Sequence, residues 1–211
     1  MRFKSGLIIG IFGLIIVSLG GWFFAIGVSI LSYLALSELF RMAENTGIKP
    51  ATKTTVFCCL IIILSTYFEV NGTLKREIAN AVLPLSSIAI CTWLLFQPKS
   101  GKISDIATSI FGLFYLGLLP SYWIKLRELD LLFNSSIYNP QGSSNLENFS
   151  GFNITLVTCL IIVSSDIGSY FVGKKYGKKA LSSISPKKTI EGLIGGVSCS
   201  ILTGIIFASL L

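Results

Sequence analysis

Asp166 stands inside an apolar run, and six lysines follow it between positions 174 and 188: Lys174, Lys175, Lys178, Lys179, Lys187 and Lys188. An acid beside a dense cationic stretch at the end of a hydrophobic segment supplies what a phosphate-handling site at a membrane surface needs. Asp166 lies six residues before Val172, roughly 9 Å from the end of its predicted helix at 1.5 Å per residue. An ionised carboxylate at that depth is costly unless it faces protein and meets a cation or a hydrogen-bond donor. Ser164, Ser165, Ser169 and Tyr170 make the same stretch polar. Asp166 therefore reads as a metal ligand or substrate-orienting group, with a structural hydrogen bond or salt bridge as the alternative.

Gly173 and Gly177 flank Lys174, Lys175 and Tyr176, and glycine allows backbone N–H groups to close on a phosphate. Topology signalling and a grip on anionic lipid are the plainer reading of such a loop. Further on, Ser185 is a preferred N-cap and Pro186 a preferred first helical residue, which predicts a helix starting there with Lys187 and Lys188 in its first turn. Two lysines at a helix N-terminus oppose the macrodipole unless an anion is shared among them, so the placement predicts a phosphate site. Glu191 falls on the same helical face as Lys187 and Lys188. It could hold a lysine in place or join Asp166 at a cation.

The elements that must position these residues are membrane helices. Of the 211 residues, 52% are hydrophobic and 13% charged, and the mean hydropathy is +0.76, more apolar than a water-soluble domain can conceal. Seven runs could cross a bilayer, where about 20 apolar residues are needed per helix: Gly6–Leu19, Gly21–Phe40, Thr54–Phe68, Ile78–Phe96, Ile103–Trp123, Phe152–Val172 and Ile190–Leu211. Gly20-Gly21 reads as the turn of a hairpin between the first two. No small-x-small cleavage signal follows the first run, so it reads as a span rather than a signal peptide.

Most Lys and Arg residues fall on alternate segments: Arg2 and Lys4; Arg41, Lys49 and Lys53; Lys99 and Lys102; and the six-lysine stretch. Only Lys75, Arg76, Lys125 and Arg127 fall on the others. By the positive-inside rule this bias predicts seven crossings, with the N-terminus and the six-lysine stretch on the cytoplasmic side. The net charge of +7 is accounted for by topology and anionic lipid, and nucleic acid is not an expected partner. Cys58, Cys59, Cys91, Cys159 and Cys199 all lie within apolar runs at odd spacing and imply neither a disulfide framework nor a zinc site. Lys125 to Gly151 reads as a polar external loop. With no linker and no fixed-period repeat, the expectation is a single all-α transmembrane domain spanning 1–211, with its motif region at 164–196.

The run Asp166-x-Gly-Ser-Tyr-x-x-Gly-x-x-x-Gly-Lys, followed by Ile184-Ser-Pro-Lys-Lys-Thr-x-Glu-Gly192-x-x-Gly-Gly196, strongly resembles the central region of bacterial-type phosphatidate cytidylyltransferases, or CDP-diacylglycerol synthases. The Gly-Gly-Trp break, Leu34-Ala-Leu-Ser-Glu38 and Gly117-Leu-Leu-Pro-Ser121 resemble the family more loosely. The resemblance implies that a phosphate oxygen of phosphatidic acid attacks the α-phosphorus of CTP and releases pyrophosphate, with Mg²⁺ neutralising the triphosphate. It implies catalytic roles for Asp166, Lys187, Lys188 and Glu191. Substrate contacts are implied for Tyr170, Gly173, Lys174, Gly177, Lys178, Ser185, Pro186, Thr189 and Gly192, and metal ligation for Asp166 and Glu191.

The implied partners are CTP and phosphatidic acid as substrates, membrane lipid, and a second copy in a homodimer. The implied location is a bacterial-type inner (plasma) membrane with the active face cytoplasmic. The family's C-terminal signature, with its His-Gly-Gly run and acidic pairs, has no counterpart in these residues, so the resemblance implies a C-terminally shortened member. An inactive paralogue, a non-catalytic protein that binds anionic lipid, and a CTP-dependent lipid kinase are the alternatives.

Overall fold

The computed structural model describes residue 10 and residues 13–97, 101–134, 150–182 and 185–210. The chain divides into two compact units, Met1–Asn139 and Pro140–Leu211. Six helices among the described residues are long and apolar enough to cross a membrane, as the composition requires of an all-α integral membrane protein. Of the first predicted run, Gly6–Leu19, residues 6–9, 11 and 12 lie outside the described residues, and residues 13–19 are helical.

The first unit contains α1 (Gly21–Asn45), α2 (Thr52–Val70), α3 (Arg76–Leu95), α4 (Ile103–Gly112), a π-helical segment (Leu113–Leu118), α5 (Leu119–Arg127) and α6 (Leu129–Asn134). The stretch from α4 through α5 is one span, Ile103–Arg127. Its π-helical segment runs into Pro120, which lacks an N–H and crowds the preceding turn; widening that turn relieves the clash. Leu36 and Phe40 of α1, Cys58, Cys59 and Ile62 of α2, Ile90 and Leu94 of α3, and Leu113 form the buried core. The two cysteines are therefore packing residues. A Cβ at Gly117 would lie 2.8 Å from Cys59 Sγ, so that glycine sets the approach of the π segment to α2.

The Gly20-Gly21 break has the structure expected of it: φ is +61° and +50° there, a left-handed conformation that glycine adopts without a Cβ penalty. Side chains distant in sequence cap both sides. The Arg127 Nε–H donates to the Val17 carbonyl at 2.8 Å, and the Glu128 carboxylate accepts from the Gly21 N–H at 2.8 Å. A cation thus meets a helix C-terminus and an anion a helix N-terminus, the favourable signs for both dipoles. At the neighbouring ends of α2, α3 and α5, Glu69 pairs with Lys125 at 2.9 Å and Arg76 at 3.5 Å. Trp22, Tyr67 and Phe68 pack alongside in tilted and edge-to-face contacts. Three of the four cations assigned to the non-cytoplasmic side are thus held by internal partners.

At the opposite end of this unit Asp105, only 2% exposed, joins two loops. Its carboxylate accepts from the N–H groups of Lys49 at 2.8 Å, Lys102 at 3.1 Å and Gly101 at 3.2 Å. A buried acid is tolerated when backbone donors replace its water.

The second unit is a helical hairpin, α7 (Gly151–Tyr176) and α8 (Ile190–Leu210), joined through β1 (Ala180–Ser182) and β2 (Ser185–Thr189). The strands pair antiparallel, Ala180 opposite Thr189 and Ser182 opposite Ser185. Of the polar external loop expected over Lys125 to Gly151, the beginning is helical in α5 and α6 and Gly151 opens α7; residues 135–149 lie outside the described residues.

Candidate functional site

Two local expectations change at the lysine-rich end of the hairpin. The first concerns the helix start. Ser185, Pro186, Lys187, Lys188 and Thr189 form strand β2, and α8 begins at Ile190 rather than at Pro186. Proline's fixed φ suits extended backbone as well as a first helical turn, and the strand gives this segment backbone partners in β1. Thr189 supplies the cap instead: its Oγ1 accepts from the Gly192 N–H at 3.2 Å. The dipole conflict that suggested an anion is thereby removed, because the lysines precede the helix and its first turn carries Glu191, which has the favourable sign. Two of the first N–H groups of α8 are already bonded, Gly192 to Thr189 and Ile190 to the Lys179 carbonyl at 3.0 Å.

The second change concerns the glycine-flanked segment. Gly173, Lys174, Lys175 and Tyr176 are helical and belong to α7, which ends at Gly177. The glycines serve the contact between the two helices. A Cβ on Gly173 would lie 3.1 Å from Thr189 Oγ1 and 3.4 Å from Gly192 Cα; one on Gly192 would lie 2.9 Å from the Ser169 carbonyl oxygen and 3.1 Å from Gly173 Cα. Gly177 packs on the Thr189 side chain, and deeper along the hairpin Gly168 faces Cys199 and Gly196 faces Ser165. Small residues at matched positions let two membrane helices approach backbone to backbone.

The end of the hairpin is cationic and partly aromatic. Lys174 Nζ lies 5.7 Å from the centroid of the exposed Tyr170 ring, and Lys175 Nζ 5.2 Å from that of Tyr176, cation–π distances. A shallow cavity of about 480 Å³ is lined by Phe171, Val172, Lys174, Lys175 and Tyr176. Phe171 and Val172 were given no role from sequence, and Lys175 and Tyr176 entered only as part of the glycine-flanked lysine stretch; their spacing along one helix end was the signal available. Lys178 and Lys188 are exposed beside this end.

The acids do not converge. Asp166 is exposed on α7, and with the helix continuing to Tyr176 it lies roughly 15 Å along the axis from that end. Its neighbour Ser165 faces Gly196, five residues beyond Glu191, which sets the two acids about 7 Å apart along the hairpin. The surrounding hydroxyls turn inward: Ser164 donates to the Ile161 carbonyl and Ser169 to that of Asp166. Glu191 Oε2 accepts from the backbone N–H groups of Lys178 at 3.1 Å and Lys179 at 3.4 Å. Among the described residues, no group of three or more His, Cys, Asp or Glu could hold a metal. Asp166 and Glu191 are therefore not joined by a third acid among the described residues, and Glu191 already serves two backbone amides.

The sequence profile of the Cytidylyltransferase family matches residues 1–211. The chain is 42% identical over 198 residues to a phosphatidate cytidylyltransferase of Synechocystis sp., an alignment covering 90% of this chain and 66% of that protein. It is 32% identical over 225 residues to phosphatidate cytidylyltransferase 5, chloroplastic, of Arabidopsis thaliana, covering 99% and 54%. With a phosphatidate cytidylyltransferase of Bacillus subtilis it shares 28% over 210 residues, covering 98% and 70%. The chain spans about half to two thirds of the length of the first of these curated relatives. No solved structure matches it significantly.

Proposed function

This chain belongs to the cytidylyltransferase family, and from that premise we propose that it takes part in transferring CMP from CTP to phosphatidic acid in phospholipid biosynthesis. A phosphate oxygen of the lipid forms a bond to the α-phosphorus of CTP. The bond from that phosphorus to the bridging oxygen breaks, and pyrophosphate leaves with the electron pair. Both substrates are strongly anionic, so positioning and charge compensation make up most of the protein's task.

One observation carries the reading. The hairpin carries Lys174 and Lys175 in the last turn of α7, Lys178 and Lys179 just past it, and Lys187 and Lys188 in the strand leading into α8, and an apolar and aromatic cavity is lined by Lys174 and Lys175 with Phe171, Val172 and Tyr176. That combination suits a phosphate-bearing head group on a hydrocarbon anchor. Lys174, Lys178, Lys187 and Lys188 would compensate phosphate charge, and Tyr170 would border the head group. The contacts between Gly173, Gly177, Thr189 and Gly192 would keep the two arms together, while Ser185 and Pro186 hold the extended turn. Asp166, below this end, would orient the lipid side. Mg²⁺ enters the proposal through the triphosphate it would neutralise rather than through a ligand cluster of this chain. The lysine bias supports an inner-membrane location with this end cytoplasmic. The homodimer is proposed on the same footing, with the mass of the detergent-solubilised protein as its test.

The test is incubation of the full chain in lipid nanodiscs with Mg²⁺, phosphatidic acid and CTP labelled at the α-phosphate. Labelled CDP-diacylglycerol is expected, with about a 100-fold fall in kcat/KM for Lys188→Ala, the scale of losing one charge-stabilising group. Absence of product at every Mg²⁺ concentration, with phosphatidic acid still bound, would overturn the proposal in favour of a non-catalytic protein that binds anionic lipid.

A further inference from the structure

We infer that Glu191 is a positioning residue that shapes the lysine turn through backbone amides, rather than a ligand of a metal ion; its effect on turnover rests on the function proposed above. Gly177 is the last residue whose N–H is taken up by the α7 ladder, at 3.0 Å from the Gly173 carbonyl. The next two N–H groups, of Lys178 and Lys179, have left the helix and need an acceptor. Glu191 Oε2 supplies one to both, at 3.1 and 3.4 Å, from a position 13 and 12 residues further on. The Ile190 N–H returns the connection by donating to the Lys179 carbonyl at 3.0 Å. The exit of α7 and the start of α8 are therefore closed on each other by three hydrogen bonds, with lysines on the outside of the closure.

The same carboxylate sits in the first turn of α8, where its charge is favourable. Among the described side chains no ammonium lies within ion-pair distance of it, both close pairs belonging to Glu69, and the Lys179 charge acts on it from further away. Two consecutive amides turned toward one anion form the backbone arrangement that could otherwise receive a phosphate. Here an internal carboxylate takes that place, which leaves the lysine side chains for the substrate.

Both bonds fall on a single oxygen, and this separates the two roles by substitution. Glutamine keeps one carbonyl oxygen at the same reach but cannot serve as an anionic metal ligand. Aspartate keeps the charge but is one methylene too short. Positioning predicts that Glu191→Gln stays near wild type while Glu191→Asp and Glu191→Ala fail; metal ligation predicts that aspartate outperforms glutamine.

The experiment is hydrogen–deuterium exchange of the full chain in detergent, followed on a peptide covering residues 177–182, beside CMP-transfer kinetics at varied Mg²⁺. Exchange at this peptide is expected to quicken about tenfold in Glu191→Asp and Glu191→Ala, the scale of a lost hydrogen bond to a charged group, and to stay within about threefold in Glu191→Gln. The KM for CTP should rise about tenfold in the same two variants with kcat less affected, and the Mg²⁺ dependence should not move. Unchanged exchange in all three variants would overturn the inference, as would retained activity in aspartate with loss in glutamine and a shifted Mg²⁺ requirement. Exchange requires no turnover. A chain that makes no CDP-diacylglycerol yet loses protection in aspartate and alanine refutes the proposed reaction and leaves this inference standing.

Discussion

Adding one methyl group at Gly192 pits two effects of opposite sign against each other. Alanine in a helix is favoured over glycine by about 1 kcal/mol, so Gly192→Ala would stabilise α8 if nothing lay nearby. The new Cβ would instead meet the Ser169 carbonyl oxygen at 2.9 Å, Thr189 Oγ1 at 3.0 Å and Gly173 Cα at 3.1 Å. Two of these neighbours are backbone and the third is the helix cap, so none can swing aside. Ordinary contact requires the helices to part by about half an ångström. Overpacking of this kind costs about 1–3 kcal/mol, so a net loss of about 1 kcal/mol is expected.

The same helix holds its own control. At Gly204 the nearest atom to a new Cβ is Ile161 Cδ1 at 3.8 Å, ordinary contact, so Gly204→Ala should be neutral or more stable than wild type. Thermal unfolding in one detergent, with both variants side by side, measures the difference. Parting the arms also shifts the lysines, and half an ångström at such a site corresponds to about a tenfold loss in kcat/KM, scaled from 100-fold for a full ångström. Gly192→Ala matching Gly204→Ala in stability and activity would refute the close approach of α7 and α8 and the role given to the glycines.

Two further substitutions test the first unit. Asp105→Ala removes the acceptor for the amides of Lys49, Gly101 and Lys102 and should cost about 2–4 kcal/mol. Asp105→Asn, which keeps one acceptor oxygen, should lose about half as much in the same unfolding measurement. Glu69→Gln leaves Lys125 and Arg76 without their anion and should cost about 1–2 kcal/mol, less than a fully buried pair because Arg76 is largely exposed. In a double-mutant cycle Lys125→Met should add little once Glu69 is changed; full additivity would mean that the pair does not interact.

Hydropathy alone was enough to class this chain as a membrane protein and to outline the six spans found among the described residues to within a few residues, because water expels apolar runs wherever they sit in a fold. The Gly20-Gly21 turn was legible for a similar reason, since only glycine accepts the backbone required there. The cationic end was visible as a run of charge. What the tertiary structure decided is how those parts are satisfied. Ser185-Pro186 reads equally well as a helix start or as extended chain, and pairing with Ala180–Ser182 selected the strand. Gly173 and Gly177 looked like a phosphate loop until the facing Thr189 and Gly192 showed what occupies the space beside them. Glu191 found backbone amides rather than a lysine or Asp166, and Asp105, Glu128 and Arg127 found partners 56 to 110 residues away. Local pattern states what a segment must bury or expose. Which donor meets which acceptor depends on how separate segments pack, and that information lies in no single stretch of sequence.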